Sequence, residues 1–266
     1  TEVVKDEEAE TEVTEGEEAE TEENKDEEAE TEGIEDEEIE NEEAETEEES
    51  DAEDELLTGS SEDTDTEYRI TPDGIITEYK GTATDITIPA TVNGITVTGI
   101  SETAFSRNTS ITSMLLHQAT SLSDIAKGSF QGCTALRAVS LPNSVTQIKA
   151  DVFKGCTSLA SISWPDGLAT ISDHAFENCS SLTAIALPAT VTYIGDSAFE
   201  GCSNVVKFSL DNSTAVTIGA AAFRGCTKLA GIYLPDATVD VGNSAFENCT
   251  GATVLSLPSG MTEIKN

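Results

Sequence analysis

Residues 175–194 read AFENCSSLTAIALPATVTYI. Leu182, Ile185 and Leu187 follow the spacing L-x-x-L-x-L, the pattern of a leucine-rich repeat strand whose apolar side chains point inward. The residues between them face outward. Pro188 ends the strand, because it has no N–H for a hydrogen-bond ladder. Val191 and Ile194 then approach the same core from the opposite wall. The short stretch from Ala175 to Cys179, closing near Gly or Asn, reads as a helical turn that reverses the chain.

The stretch is one copy of a repeat. Phe recurs at 105, 130, 153, 176, 199, 223 and 246. Cys follows at 133, 156, 179, 202, 226 and 249, with successive intervals of 23, 23, 23, 24 and 23 residues. A Leu-Pro pair or a variant closes each strand: Leu141-Pro142, Trp164-Pro165, Leu187-Pro188, Leu210-Asp211, Leu234-Pro235 and Leu257-Pro258. One such unit cannot enclose its own apolar face. Stacked units share a core in which each buried Leu, Ile, Val or Phe contributes roughly 1.5–3 kcal/mol.

The run Ile-x-x-x-Ala-Phe-x-x-Cys-x-x-Leu-x-x-Ile-x-Leu-Pro resembles the BspA-like leucine-rich repeat family of bacterial surface proteins. The resemblance extends from about residue 68 to 266, and the copies opening at Phe130, Phe153, Phe176, Phe199 and Phe223 fit it closely. It implies a cell-surface or secreted protein tied to adhesion, without enzymatic activity. The first copy departs from the pattern, with Asn108 in place of Cys and Leu116-His117 in place of Leu-Pro, as expected of a degenerate unit beside a cap. Tyr68, Ile70, Ile75, Ile76 and Tyr79 surround Pro72-Asp73-Gly74, a turn signal, and read as a β-hairpin.

The expected fold is therefore an α/β-type leucine-rich repeat solenoid, right-handed, β-dominated and with short helical turns. Residues 67–104 form an N-terminal hairpin cap, and residues 105–266 form the solenoid of about 23-residue repeats. The last unit stops after Ile264 and reads as an incomplete coil of something longer.

Charge divides the chain. Residues 1–67 hold 36 Asp and Glu against two Lys, within a whole-chain net charge of -39. Every aromatic residue, Cys and Pro lies beyond Glu67. Within residues 1–66 a ten-residue repeat opens at Thr1, Thr11, Thr21 and Thr31 and decays from Asn41. That period matches neither a heptad nor an eleven-residue coiled-coil repeat. With little to bury and like charges at i,i+4, the segment reads as a disordered, extended acidic tail and linker. Loose binding of divalent cations or of a basic partner is the alternative; no EF-hand spacing is present.

Sites for chemistry are sparse. Equivalent Cys in a parallel ladder lie about 4.8 Å apart, beyond the Cβ separation of about 3.5–4.5 Å that a disulfide needs. Six free thiols are expected, and no C-x-x-C pair points to zinc. His117 and His174 are the only histidines. His174 stands where other copies carry Asp151, Ser197, Ala221 and Ser244, and reads as an exposed turn residue. No nucleophile elbow, phosphate loop or facing carboxylate pair is present, so no enzyme and no cofactor is expected. Neither part is basic, which argues against nucleic acid. No apolar run approaches a membrane span. Sequons at Asn108, Asn178, Asn212 and Asn248 include two that arise from the repeat itself. Asn178 and Asn248 are placed in a core-lining turn and discounted.

What remains is the outward face of the strands. Most of its residues are small; Arg137, Lys207, Lys228 and Tyr233 are the larger ones and the candidate binding residues. Tyr and Arg are common interface anchors. The expected partner is a protein ligand on another cell or matrix. The alternatives are a carbohydrate ligand, for which exposed aromatic platforms such as Tyr193 and Tyr233 would be needed, and a structural spacer of the cell envelope. The like-charged tail predicts a monomer.

Overall fold

The structure, a computed structural model, describes residues 67–210 and 215–261. The acidic tail, the sequon at Asn212 and Ile264 lie outside the described residues.

The chain opens with an antiparallel pair, β1 (Tyr68–Ile70) and β2 (Ile75–Tyr79), closed by a turn in which Gly74 has φ 87°. β3 (Asp85–Thr87) follows. A second antiparallel pair, β4 (Thr91–Val92) and β5 (Ile95–Thr96), turns through Asn93 and Gly94 at φ 52° and 74°. Two successive positive-φ residues are what a two-residue type I′ hairpin requires. From β6 (Gly99–Ile100) onward each coil contributes one strand to each of two walls.

The first wall runs through β7 (Ser113–Leu115), β9 (Ala138–Ser140) and β11 (Ser161–Ser163). It continues through β13 (Ala184–Leu187), β15 (Lys207–Leu210), β17 (Gly231–Tyr233) and β19 (Val254–Ser256). The second comprises β8 (Asp124–Ile125), β10 (Gln147–Ile148), β12 (Thr170–Ile171), β14 (Tyr193–Ile194), β16 (Val216–Ile218) and β18 (Thr238–Val241). Pairing within both walls is parallel and mostly in register: Gln147, Thr170, Tyr193 and Thr217 form one row. Leu187 pairs with Leu210 at an interval of 23, whereas Tyr193 pairs with Thr217 at 24. The single 24-residue unit therefore takes its extra residue between the two walls, and a bulge at Val216/Thr217 absorbs the change in register to β18.

The core lies between the walls. Leu182, Ile185 and Leu187 are buried from the first and Val191 and Ile194 from the second, as the spacing predicts. Trp164, in an inward Leu position, is half-buried and meets the Phe176 ring edge-on at 5.4 Å. The seven repeat Phe rings stack almost parallel, with centroids 5.2–5.4 Å apart from Phe105 to Phe246. Tyr79 and Tyr68 extend the stack at 5.8 and 5.3 Å.

The expected short helical turns are not helices. Among the described residues the strands are joined by turns and bends alone. The Asp151, Phe153 and Gly155 amides donate to the next coil, to Asp173, Ala175 and Glu177 carbonyls at 3.1, 2.8 and 2.7 Å. The intervening Lys154 and Cys156 amides close local turns onto Asp151 and Phe153 at 3.1 and 3.0 Å. Asp151 and Gly155 both have positive φ, 59° and 73°, and the pattern recurs at His174 and Asn178, Ser197 and Gly201, Ala221 and Gly225. A left-handed residue at every fourth position interrupts any right-handed helix, so alternate amides are turned toward the neighbouring coil. This also explains why Gly or Asn precedes each Cys: both tolerate that conformation.

Candidate interaction surface

In the first wall the outward rows are mostly small side chains. One row holds Ala138, Ser161 and Ala184, then Lys207, Gly231 and Val254; the other holds Ser140, Ser163, Ala186, Ser209, Tyr233 and Ser256. Arg137 and its equivalents Ala160, Thr183, Val206, Ala230 and Thr253 flank them; amide-to-carbonyl bonds join Ala160 to Arg137, and Thr183, Val206, Ala230 and Thr253 in sequence.

The structure places Arg137, Lys207 and Tyr233 on this wall, all exposed. Arg137 stands three coils before Val206, which adjoins Lys207. Tyr233 follows one coil beyond Lys207. Its ring folds over Gly231, where an added Cβ would come within 2.7 Å of the ring, and it remains 57% exposed. Lys228 belongs elsewhere. It lies in the turn before β17, where its Nζ donates to Asn204 Oδ1 of the preceding coil at 2.7 Å. The wall also carries Val206 and Val254, 50% and 44% exposed, and Leu115. Val254 and Leu115 fall in the two copies that depart from the repeat, which is why the pattern did not point to them.

The thiols have a structural task. Each Cys Sγ lies 3.1–3.4 Å from the carbonyl oxygen of the Phe in the preceding coil, from Cys133 on Phe105 to Cys249 on Phe223. All six are free; Cys249 is half-buried and the others buried. Loss of hydration pushes the Cys202 thiol up to about 12 and Cys249 to about 11, since a thiolate is costly away from water. These are inert groups, unlike nucleophilic cysteines, which sit in electropositive and accessible places.

Charges gather at the corner beside the second wall. Lys127 pairs with Asp151 at 3.3 Å, Lys154 with Glu177 at 2.7 Å, and Arg224 with Glu200. Burial alone would raise the Glu200 carboxyl, but hydrogen bonds from Arg224 and Ser197 outweigh it and hold it below its ordinary value. His174, expected as an exposed residue without a partner, is half-buried, with Nδ1 2.8 Å from Glu177 Oε2. Asn178 and Asn248 are exposed rather than core-lining, because the left-handed turn directs their side chains outward while the next residue, Cys, enters the core.

Among the described residues no group of three or more His, Cys, Asp or Glu could hold a metal. No helix among them is long and apolar enough to cross a membrane. A groove of about 640 Å³ lined by Ile232, Leu234, Phe246, Leu255 and Met261 lies across the last described coil.

Two walls of short parallel strands around a repeat core define a leucine-rich repeat protein. The BspA type leucine rich repeat region matches residues 79–183 and 169–266 in six copies, and the chain belongs to that family. It is similar to the leucine rich repeat protein of T. pallidum, at 31% identity and TM-score 0.64, over 70% of this chain and 86% of that one. It is similar also to a leucine-rich repeat protein from Bacteroides ovatus, at 28% identity and TM-score 0.63, over 72% of this chain and 51% of that one. A leucine rich cell surface protein from Faecalibacterium prausnitzii shares 27% identity at TM-score 0.59, over 71% of this chain and 52% of that one. This chain thus spans about half the length of the latter two. No curated protein matches the sequence.

Proposed function

We propose that this protein is a non-enzymatic interaction module, secreted or held at the cell surface, that binds protein ligands through the outward face of the first wall. The observation that carries this reading is the wall itself. Its strands are in register and its side chains small, so a partner can approach the backbone closely, and Tyr233 stands out of it as an anchor of the kind that dominates interface energetics. The F. prausnitzii relative, described as a cell surface protein, supports the location. The acidic tail serves as a charged spacer. Residues 67–104 act as the cap, with Tyr79 against the first Phe ring and Tyr68 against Tyr79. The chain works as a monomer.

A second reading has its own support. The Tyr233 ring, resting on Gly231 and largely exposed, is an aromatic surface on which a sugar ring could stack. One experiment separates the two: binding of the purified chain and its Tyr233→Ser variant to a panel of matrix proteins and neutral glycans, beside surface labelling of intact cells. Selective protein binding supports the module; binding of glycans alone supports the second reading. Binding to neither class overturns both.

A further inference from the structure

Charge is distributed unevenly over the solenoid. The whole chain carries 52 Asp and Glu against 13 Lys and Arg. Beside the second wall four cations meet carboxylates: Lys127 meets Asp151, Lys149 meets Asp124, Lys154 meets Glu177 and Arg224 meets Glu200. From Arg137 onward the first wall differs. No Asp or Glu occupies an outward position of β9, β11, β13, β15, β17 or β19, or of the row flanking them. Arg137 and Lys207 are exposed there, and neither has an ion-pair partner among the described residues. Close by, Val206, Tyr233 and Val254 form an exposed apolar group.

We propose that this wall docks an extended, carboxylate-bearing segment of a partner protein, running across the strands. The proposal deepens the interaction reading above and rests on it. Coils in a parallel ladder are about 4.8 Å apart, so Arg137 and Lys207 stand about 14 Å apart along the solenoid. An extended chain covers that distance in about four residues. Two carboxylates about four residues apart therefore meet both cations, and an apolar side chain just beyond them meets Tyr233 and Val254. The small residues between, Ser161, Ser163, Ala184 and Ala186, leave the path unobstructed. An anionic polysaccharide fits less well, because polyanions draw their affinity from many cations, and this wall offers two beside an apolar cluster.

The test uses the full chain and fluorescein-labelled twelve-residue peptides in fluorescence anisotropy at physiological salt. The first peptide carries two Glu four residues apart and a Leu two residues beyond; its twin has Gln for both Glu. Expected is at least tenfold tighter binding of the Glu peptide. That preference disappears in the Arg137→Glu, Lys207→Glu double variant, while Tyr233→Ser weakens both peptides. The acidic tail repels the Glu peptide more than its twin, so it opposes the expected preference. All three residues are exposed, and an unchanged thermal midpoint shows that the variants fold. The assignment is overturned by equal binding of the two peptides, by no binding, by an unaffected double variant, or by labelled heparin binding tighter than the Glu peptide. A matrix protein bound equally by wild type and double variant leaves the interaction reading standing and removes only this one.

Discussion

The same two side chains, Phe and Cys, are used in every coil because each satisfies what its neighbour leaves open. A Phe carbonyl accepts the amide of the Cys in its own coil, as Phe153 does from Cys156 at 3.0 Å, and the thiol of the next, Cys179, at 3.1 Å. The thiol is thereby buried and protonated. Burial raises the folded-state pKa of Cys202, so the associated stability is present below the ordinary thiol value. It is lost as pH climbs through the raised one, on the alkaline side toward 12 for Cys202. In a thiol titration at mild alkaline pH the native chain should react first at half-buried Cys249, and the denatured, unreduced chain should release all six thiols. A disulfide-linked chain would release fewer. For the rings, Phe176→Ala removes a fully buried side chain stacked on both sides and should cost about 3–5 kcal/mol in denaturant unfolding. Phe246→Ala, with one described ring neighbour and a half-buried ring, should cost less. The period of Phe and Cys was plain in the sequence. The direction in which the thiol points was not, because spacing along the chain does not say which coil supplies the acceptor.

At the level of the element, the corners show where reading the sequence went astray. A short stretch such as Ala-Phe-x-x-Cys carries the spacing of one helical turn, and local rules read it so. Stacking overrides that preference: amides at 151, 153 and 155 reach their partners only if the backbone alternates, and left-handed residues provide the alternation. Where a non-glycine residue with a Cβ takes that conformation, it pays a steric cost. Ala221, at φ 54°, has no side-chain polar group to offset it. Ala221→Gly should therefore stabilise by up to about 1 kcal/mol, since relief of left-handed strain is partly cancelled by glycine's unfolded-state entropy. Lower thermal stability in calorimetry would contradict this. The corner charges add a pH term. The Glu200 carboxyl is held low in the fold, so its contribution is present above the ordinary carboxylate range and lost as pH falls through the folded value. Glu200→Gln should flatten the acid limb of thermal stability below the ordinary carboxylate range, by less than about 1 kcal/mol because the pair is partly exposed.

Taken whole, the solenoid is a one-dimensional object: each coil is held by the coils on either side, and stability is close to a sum of coil and interface terms. The fold class was legible because several markers share one period. The first wall was legible as a set of outward positions, including Arg137, Lys207 and Tyr233. Assigning Lys228 to that wall failed, because three residues before a strand the chain is still in the corner, where Asn204 of the coil before captures the ammonium. The ring of Tyr233 over Gly231 is a contact within one strand that no periodic argument reports. The one-dimensional architecture makes its own prediction. Val254, Leu255 and Ser256 of β19 are all exposed, whereas Ile185 and Leu187 of β13 are buried between coils. Amide hydrogen exchange read by mass spectrometry should therefore be slowest in peptides spanning 150–200 and faster in those spanning 250–261, with Phe176→Ala accelerating exchange in the flanking coils before distant ones. Uniform protection that collapses everywhere at once in that variant would mean that coupling runs the length of the solenoid, and that nearest-neighbour stacking does not describe what holds it together.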